Sequence, residues 1–127
     1  MFDKMIPIVH KDSLIIFDIN NTLITNPPYQ FTDLEGFIKL FKHVKGRIVF
    51  LTAETSKKET QRQLKEVGLK YDDFTVLHTK IPKGIFLKQY SYPSHTVFID
   101  DRLHQIRSVR KHCPDIQCIH FKSKKQS

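Results

Sequence analysis

The chain has 127 residues, 39% of them hydrophobic and 27% charged, and a formal net charge of +8. That length fits one domain with its own core, and the balance is that of a globular chain, not a low-complexity or disordered one. No apolar run approaches the roughly 20 residues of a membrane span. Residues 1–10 carry charges and a Pro where a leader peptide would carry its apolar centre, so the expectation is a cytoplasmic protein with no membrane attachment.

Residues 13–17 form an apolar run that ends at Asp18, as expected of a strand buried on both faces. Asn26-Pro27-Pro28 fits neither helix nor central strand, so residues 20–31 are predicted as loop. Thr32-Asp33-Leu34-Glu35 reads as a capping box with Thr32 as the cap. It opens a helix with Leu34, Phe37, Ile38, Phe41 and Val44 on its inner face, stopped by Gly46. Residues 47–52 read as a second buried strand, ending at Thr52. Ser56-Lys57-Lys58-Glu59 is a second capping box, Gly68 the matching stop, and Leu64 and Val67 face inward between them.

A short strand over 74–77 follows, then a helix over 83–90 carrying Ile85, Phe86 and Leu87. A strand over 96–99, a helix over 103–112 and a strand over 116–121 complete the alternation. Strands separated by single helices imply right-handed crossovers. The prediction is an α/β fold: a three-layer α/β/α sandwich of Rossmann-like type, with a mainly parallel sheet of about five strands. Residues 1–121 make up the domain, and residues 122–127 a basic tail expected to be disordered. Cys113 and Cys118 flank Pro114 with no metal-ligand spacing, and whether they pair is open. The seven histidines show no such spacing either.

The chemistry concentrates at strand ends. Asp18 follows the first strand, Thr52 ends the second, Lys83 opens a helix, and Asp100-Asp101 follow the fourth strand. A parallel sheet presents such groups at its carboxyl edge, where α/β ligand sites form. Converging carboxylates suit Mg²⁺, which takes about six oxygens, some from water and substrate phosphate. Asp18, Asp100, Asp101 and the main-chain oxygen of Asn20 are the candidate metal ligands. Thr52 and Lys83 are candidates for holding a phosphoryl group, and a carboxylate such as Asp18 can attack phosphorus. Asp101 could instead cap the helix that follows it.

These pieces, in this order and over nearly the whole chain, resemble the haloacid dehalogenase-like (HAD) hydrolase superfamily. Its first motif, D-x-D-x-T, stands here as Asp18-Ile19-Asn20-Asn21-Thr22. Its second, a strand ending in Thr or Ser, is Thr52. Its third, a Lys at a helix start, is Lys83, with Lys80 and Lys88 as alternatives. Its fourth, a strand ending in acidic residues, is Asp100-Asp101. The resemblance implies a Mg²⁺-dependent phosphatase working through an aspartyl-phosphate on Asp18, with Thr52 and Lys83 on the phosphate and Asp100 or Asp101 completing the metal site. A receiver domain of two-component signalling uses similar groups, but its acidic pair comes first in the chain and here it comes last.

Asn20 departs from the motif. The resemblance places an Asp there as the acid and base of the two half-reactions, and an amide can do neither. Losing such a group typically slows turnover by roughly 10²–10⁴. Four readings stay open: a slow phosphatase, a protein slow to release phosphate from Asp18, a module that binds a phosphorylated protein or nucleic acid without turnover, or an engineered Asp→Asn substitution. The gaps between motifs leave no room for the cap domain many superfamily members carry. A capless, open site under a net positive charge fits a phosphorylated substrate as large as a phosphoprotein or a nucleic-acid end. The loop over 25–31, with Pro27, Pro28 and Tyr29, is the candidate substrate-contacting flap.

Overall fold

The structure, a computed structural model, describes residues 1–122. Its strands are β1 (Ile15–Phe17), β2 (Ile48–Thr52), β3 (Thr75–His78), β4 (Val97–Asp100) and β5 (Gln117–His120). All pairings are parallel, in the order β3-β2-β1-β4-β5. The helices are α1 (Leu34–His43), α2 (Lys57–Glu66), α3 (Lys83–Leu87) and α4 (Leu103–His112). The expected α/β/α sandwich of Rossmann-like type is therefore the observed fold. Among the described residues no helix is long and apolar enough to cross a membrane.

β1 sits at the centre, and all three of its residues are buried. Successive side chains point to opposite faces. Phe17 joins Phe37, Phe50 and Leu64 on the face covered by α1 and α2. Ile16 joins Leu51, Leu87, Phe98, Ile106 and Val109 on the face covered by α3 and α4. The chain runs outward from β1 through β2 to β3, then returns to the other side of β1 as β4. That reversal opens a crevice at the carboxyl ends of β1 and β4. Register carries the chemistry there: Phe17 pairs with Ile99, and the Asp18 N–H donates to the Ile99 carbonyl at 3.0 Å.

Several local readings shift. The cap of α1 is Asp33, not Thr32: its carboxylate accepts from the Gly36 N–H at 3.1 Å and from the Phe2 N–H at 2.8 Å. The Thr32 hydroxyl instead donates to the Thr22 and Leu23 carbonyls, pinning the loop after β1. The inner face of α1 is Phe37, Leu40 and Val44, whereas Leu34, Ile38 and Phe41 stand out at 47%, 43% and 36% exposure. Two apolar stripes run along this helix. The stripe bearing Leu40 wins because a 3-10 helix over Phe2–Ile8, which no periodicity announces, packs beside it and buries Phe2 and Met5.

α3 ends at Leu87 and not at residue 90; the Leu87 carbonyl accepts from the Tyr90 N–H at 3.1 Å and from the Tyr92 hydroxyl. Both cysteines are free thiols, and burial pushes Cys118 up to about 11. Lys122 is exposed, and the rest of the predicted tail lies outside the described residues.

Candidate metal and phosphate site

Ile19 closes the turn after β1: its carbonyl accepts from the N–H groups of Thr22, Leu23 and Ile24. Asn21 takes the left-handed conformation, φ 62°, which Asn tolerates better than most residues. The turn folds Thr22 back beneath Asp18. Its hydroxyl lies 2.9 Å from Asp18 Oδ2 and 3.2 Å from Asp101 Oδ1, tying the two carboxylates together.

Lys83 arrives from the opposite layer. A Cβ on Gly84 would lie 2.1 Å from the Ser108 carbonyl oxygen, so only glycine lets α3 press this closely on α4. The Gly84 N–H donates to Ser108 Oγ and the Lys83 N–H to Gln105 Oε1 at 2.8 Å. Thus anchored, Lys83 is 1% exposed and its Nζ reaches Asp18 Oδ1 at 2.6 Å and Asp100 Oδ2 at 2.7 Å. The second Asp100 oxygen accepts from the Arg102 N–H at 2.9 Å. Asp101 is held by His120 on its carbonyl and by Thr22 on its carboxylate, so it does not cap α4.

Lys83 therefore lies between two carboxyl groups, all three side chains buried. Burial pushes the Asp18 carboxyl up, to about 8, against the pull of Lys83 and with the push of Asp100. Burial works against the Lys83 charge too, yet Asp18 and Asp100 lift its pKa above the ordinary lysine value. Asp18, Asp100 and Asp101 each offer an oxygen, all within 4.8 Å of one another. An all-oxygen set with surplus negative charge fits a hard divalent cation such as Mg²⁺.

On the side toward β2 the groups next to Asp18 are amides and hydroxyls. Thr52 is buried; its hydroxyl accepts from the Glu54 N–H at 3.1 Å and lies 3.5 Å from Asn20 Oδ1. Asn20 Nδ2 donates to Gln63 Oε1 at 3.1 Å, and Gln63 Nε2 donates to Glu59 Oε2 at 3.3 Å. Tyr29 from the 25–31 loop also donates to Glu59, so that loop is fastened to α2. Beneath it an open cavity of about 290 Å³ is walled by Asp18, Asn20, Glu54, Lys83, Arg102 and Gln105, with Asn26 from the loop.

The structure thus brings Asp18, Lys83, Asp100 and Asp101 into direct contact or metal-ligating distance, with Asn20 on the same cavity wall. Thr52 joins through Asn20 and through the Glu54 N–H. Lys80 and Lys88 are exposed, leaving Lys83 as the lysine of the site. Sequence reasoning missed Gln63, Gln105 and Glu54 and gave Thr22 no role. Thr22 stands inside the first motif and could have been found there. The two glutamines act across 43 and 22 residues of chain, and no local spacing marks them.

Fold and site together define an all-parallel α/β domain with a carboxylate–lysine cluster at its topological switch point. No protein-family model and no curated protein matches the sequence. Among solved structures, the chain is similar to the N-terminal part of the protein BF1531 from Bacteroides fragilis, which contains a phosphatase domain and was crystallised with Mg. The TM-score is 0.64 at 18% identity, over 94% of this chain and 39% of that one. At that identity the likeness is one of fold.

Proposed function

We propose that the chain is a Mg²⁺-dependent phosphatase of the haloacid dehalogenase type, acting on a phosphomonoester through an aspartyl-phosphate on Asp18. The observation that carries this reading is the placement of Lys83 Nζ between Asp18 and Asp100, with Asp101 close enough to share a cation. The ordered motifs and the Mg-bound phosphatase-domain neighbour support it. Asp18, Asp100, Asp101 and the Asn20 main-chain oxygen would hold the metal, which when bound offsets the charge of the phosphoryl oxygens and of the carboxylates around them.

Asp18 supplies the attacking oxygen. Lys83 keeps that carboxylate oriented and offers positive charge to the equatorial phosphoryl oxygens. Thr52 Oγ1 and the backbone beyond it border the phosphate. Thr22 fixes the second Asp18 oxygen, and Gln105 fixes Lys83 at its backbone. Asn20 is held by its amide and moves no proton. Between β1 and α1 the described residues form turns and isolated bridges, which supports a capless reading of the site. An open mouth and a charge of +8 favour a phosphorylated macromolecule, a phosphoprotein or a nucleic-acid end.

Hydrolysis of p-nitrophenyl phosphate tests the reading. Turnover should require Mg²⁺, stop on chelation and disappear in Asp18→Asn. Asn20→Asp should raise it. The Asn20–Gln63 amide pair favours a second reading, a module that binds phosphate without turnover. Orthophosphate binding with no hydrolysis by either the parent chain or Asn20→Asp would select it.

A further inference from the structure

Glu54 is a carboxylate on the cavity wall that the mechanism above leaves idle. It stands two residues beyond Thr52 and shares the wall with Asp18, Asn20 and Lys83. Its backbone is fixed from two sides: the N–H donates to Thr52 Oγ1 at 3.1 Å, and the carbonyl meets His78 Nδ1 at 2.6 Å. The imidazole is held in turn by the Tyr71 hydroxyl at 2.9 Å. One side-chain oxygen, Oε2, accepts from the Ser56 N–H at 2.8 Å just before α2. Among the described residues, Oε1 has no hydrogen-bond partner.

We propose that Glu54 carries the proton transfers that Asn20 cannot, as the acid–base residue of this site; the proposal rests on the phosphatase reading. In the first half-reaction Asp18 attacks phosphorus, the ester P–O bond breaks, and protonated Glu54 gives its proton to the leaving alkoxide. In the second, Glu54 takes a proton from water as that water attacks phosphorus. The P–O bond to Asp18 breaks with its electron pair returning to the carboxylate, and inorganic phosphate leaves. The ionisable groups around Glu54 are Asp18, Lys83 and Arg102 on the wall, His78 behind the carbonyl, and Lys57 and Glu59 at the start of α2.

Glu54→Gln keeps an acceptor for the Ser56 N–H while removing the ionisable carboxyl. A p-nitrophenolate leaving group needs no proton, so the loss falls on the second half-reaction. Glu54→Gln should lower kcat by about 10²-fold or more and erase one limb of the pH–rate profile. Its intact mass, measured on acid-quenched steady-state samples, should show phosphate held on the chain and absent from the Asp18→Asn/Glu54→Gln double variant. Adding Asn20→Asp to Glu54→Gln should restore most of the lost turnover. A Glu54→Gln protein within about twofold of the parent, with both pH limbs, overturns the proposal. So does a silent parent beside an active Asn20→Asp, and in that case the phosphatase reading survives. Silence in both overturns the reading and the proposal with it.

Discussion

Asp18 sits between two unlike neighbourhoods. Toward β4 it meets charge, buried or half-buried: Lys83 bonded directly, Asp100 through Lys83, and Asp101 through the Thr22 hydroxyl. Toward β2 it meets amides and hydroxyls: Asn20, Gln63 and Thr52, bonded in a neutral chain. The charged side has the groups needed to collect a divalent cation and a phosphate. The amide chain of Asn20 and Gln63 positions groups and moves no proton itself, which leaves that task to Glu54 beyond Thr52. Each side can be perturbed alone.

The largest effect belongs to the charged side. Lys83→Met leaves Asp18 and Asp100 buried against each other with no cation between them. Unfolding in denaturant without metal should show a loss of about 3–5 kcal/mol. Mg²⁺ should return part of it, because a divalent ion supplies the missing charge. A loss that Mg²⁺ cannot touch would mean the carboxylates do not ligate.

The same cluster sets a pH dependence of smaller size. Burial pushes the Asp18 carboxyl up to about 8 in the folded protein, against the ordinary aspartate value of 3.8. Between those values the unfolded chain has released a proton that the folded protein retains. Stability of the metal-free protein should therefore fall as pH rises across that window, and level off above it. Mg²⁺ binds the ionised carboxylate and should flatten the slope, and Asp18→Asn should remove its main source. Melting temperatures taken with Mg²⁺ and with chelator across the window check this, and a rising metal-free curve would contradict it.

Gly84→Ala tests how the charged side is delivered. The new methyl must displace the Ser108 carbonyl or lift α3 off α4. A loss of about 1–3 kcal/mol is expected from such overpacking. Because Lys83 is the adjacent residue, Mg²⁺ affinity should drop as well. A variant equally stable, with Mg²⁺ binding intact, would show that α3 has slack the contact distance denies.

The charged side was the more legible of the two in the sequence, and the reason is physical. Buried parallel strands announce themselves as apolar runs, and the residue after each run lands on the carboxyl edge whatever else happens. Asp18, Thr52 and Asp100 could be placed by that rule alone, and Lys83 by its position opening a helix. The neutral side depends on Gln63 meeting Asn20 and on Tyr29 meeting Glu59, pairings between elements that no period or cap encodes. The reading of α1 held for Phe37 and Val44 and failed at Leu34, Ile38 and Phe41 for a related cause. Its two stripes are equally apolar in the sequence, and the choice between them is made by Phe2 and Met5, more than thirty positions away.

The smallest effect is on the neutral side. Gln63 Nε2 donates to Glu59, so its carbonyl faces position 20 and wants a donor there. An Asp at that position would set a carboxylate against that carbonyl. Turning the Gln63 amide over would satisfy the new Asp but set its carbonyl against Glu59. Asn20→Asp should therefore cost about 1 kcal/mol in stability, even as it adds an acid–base group beside the phosphate. Glu59→Gln frees Gln63 to turn, so the double variant should recover most of that loss, a coupling read directly from a double-mutant cycle. Simple additivity would mean the amide chain does not discriminate at position 20.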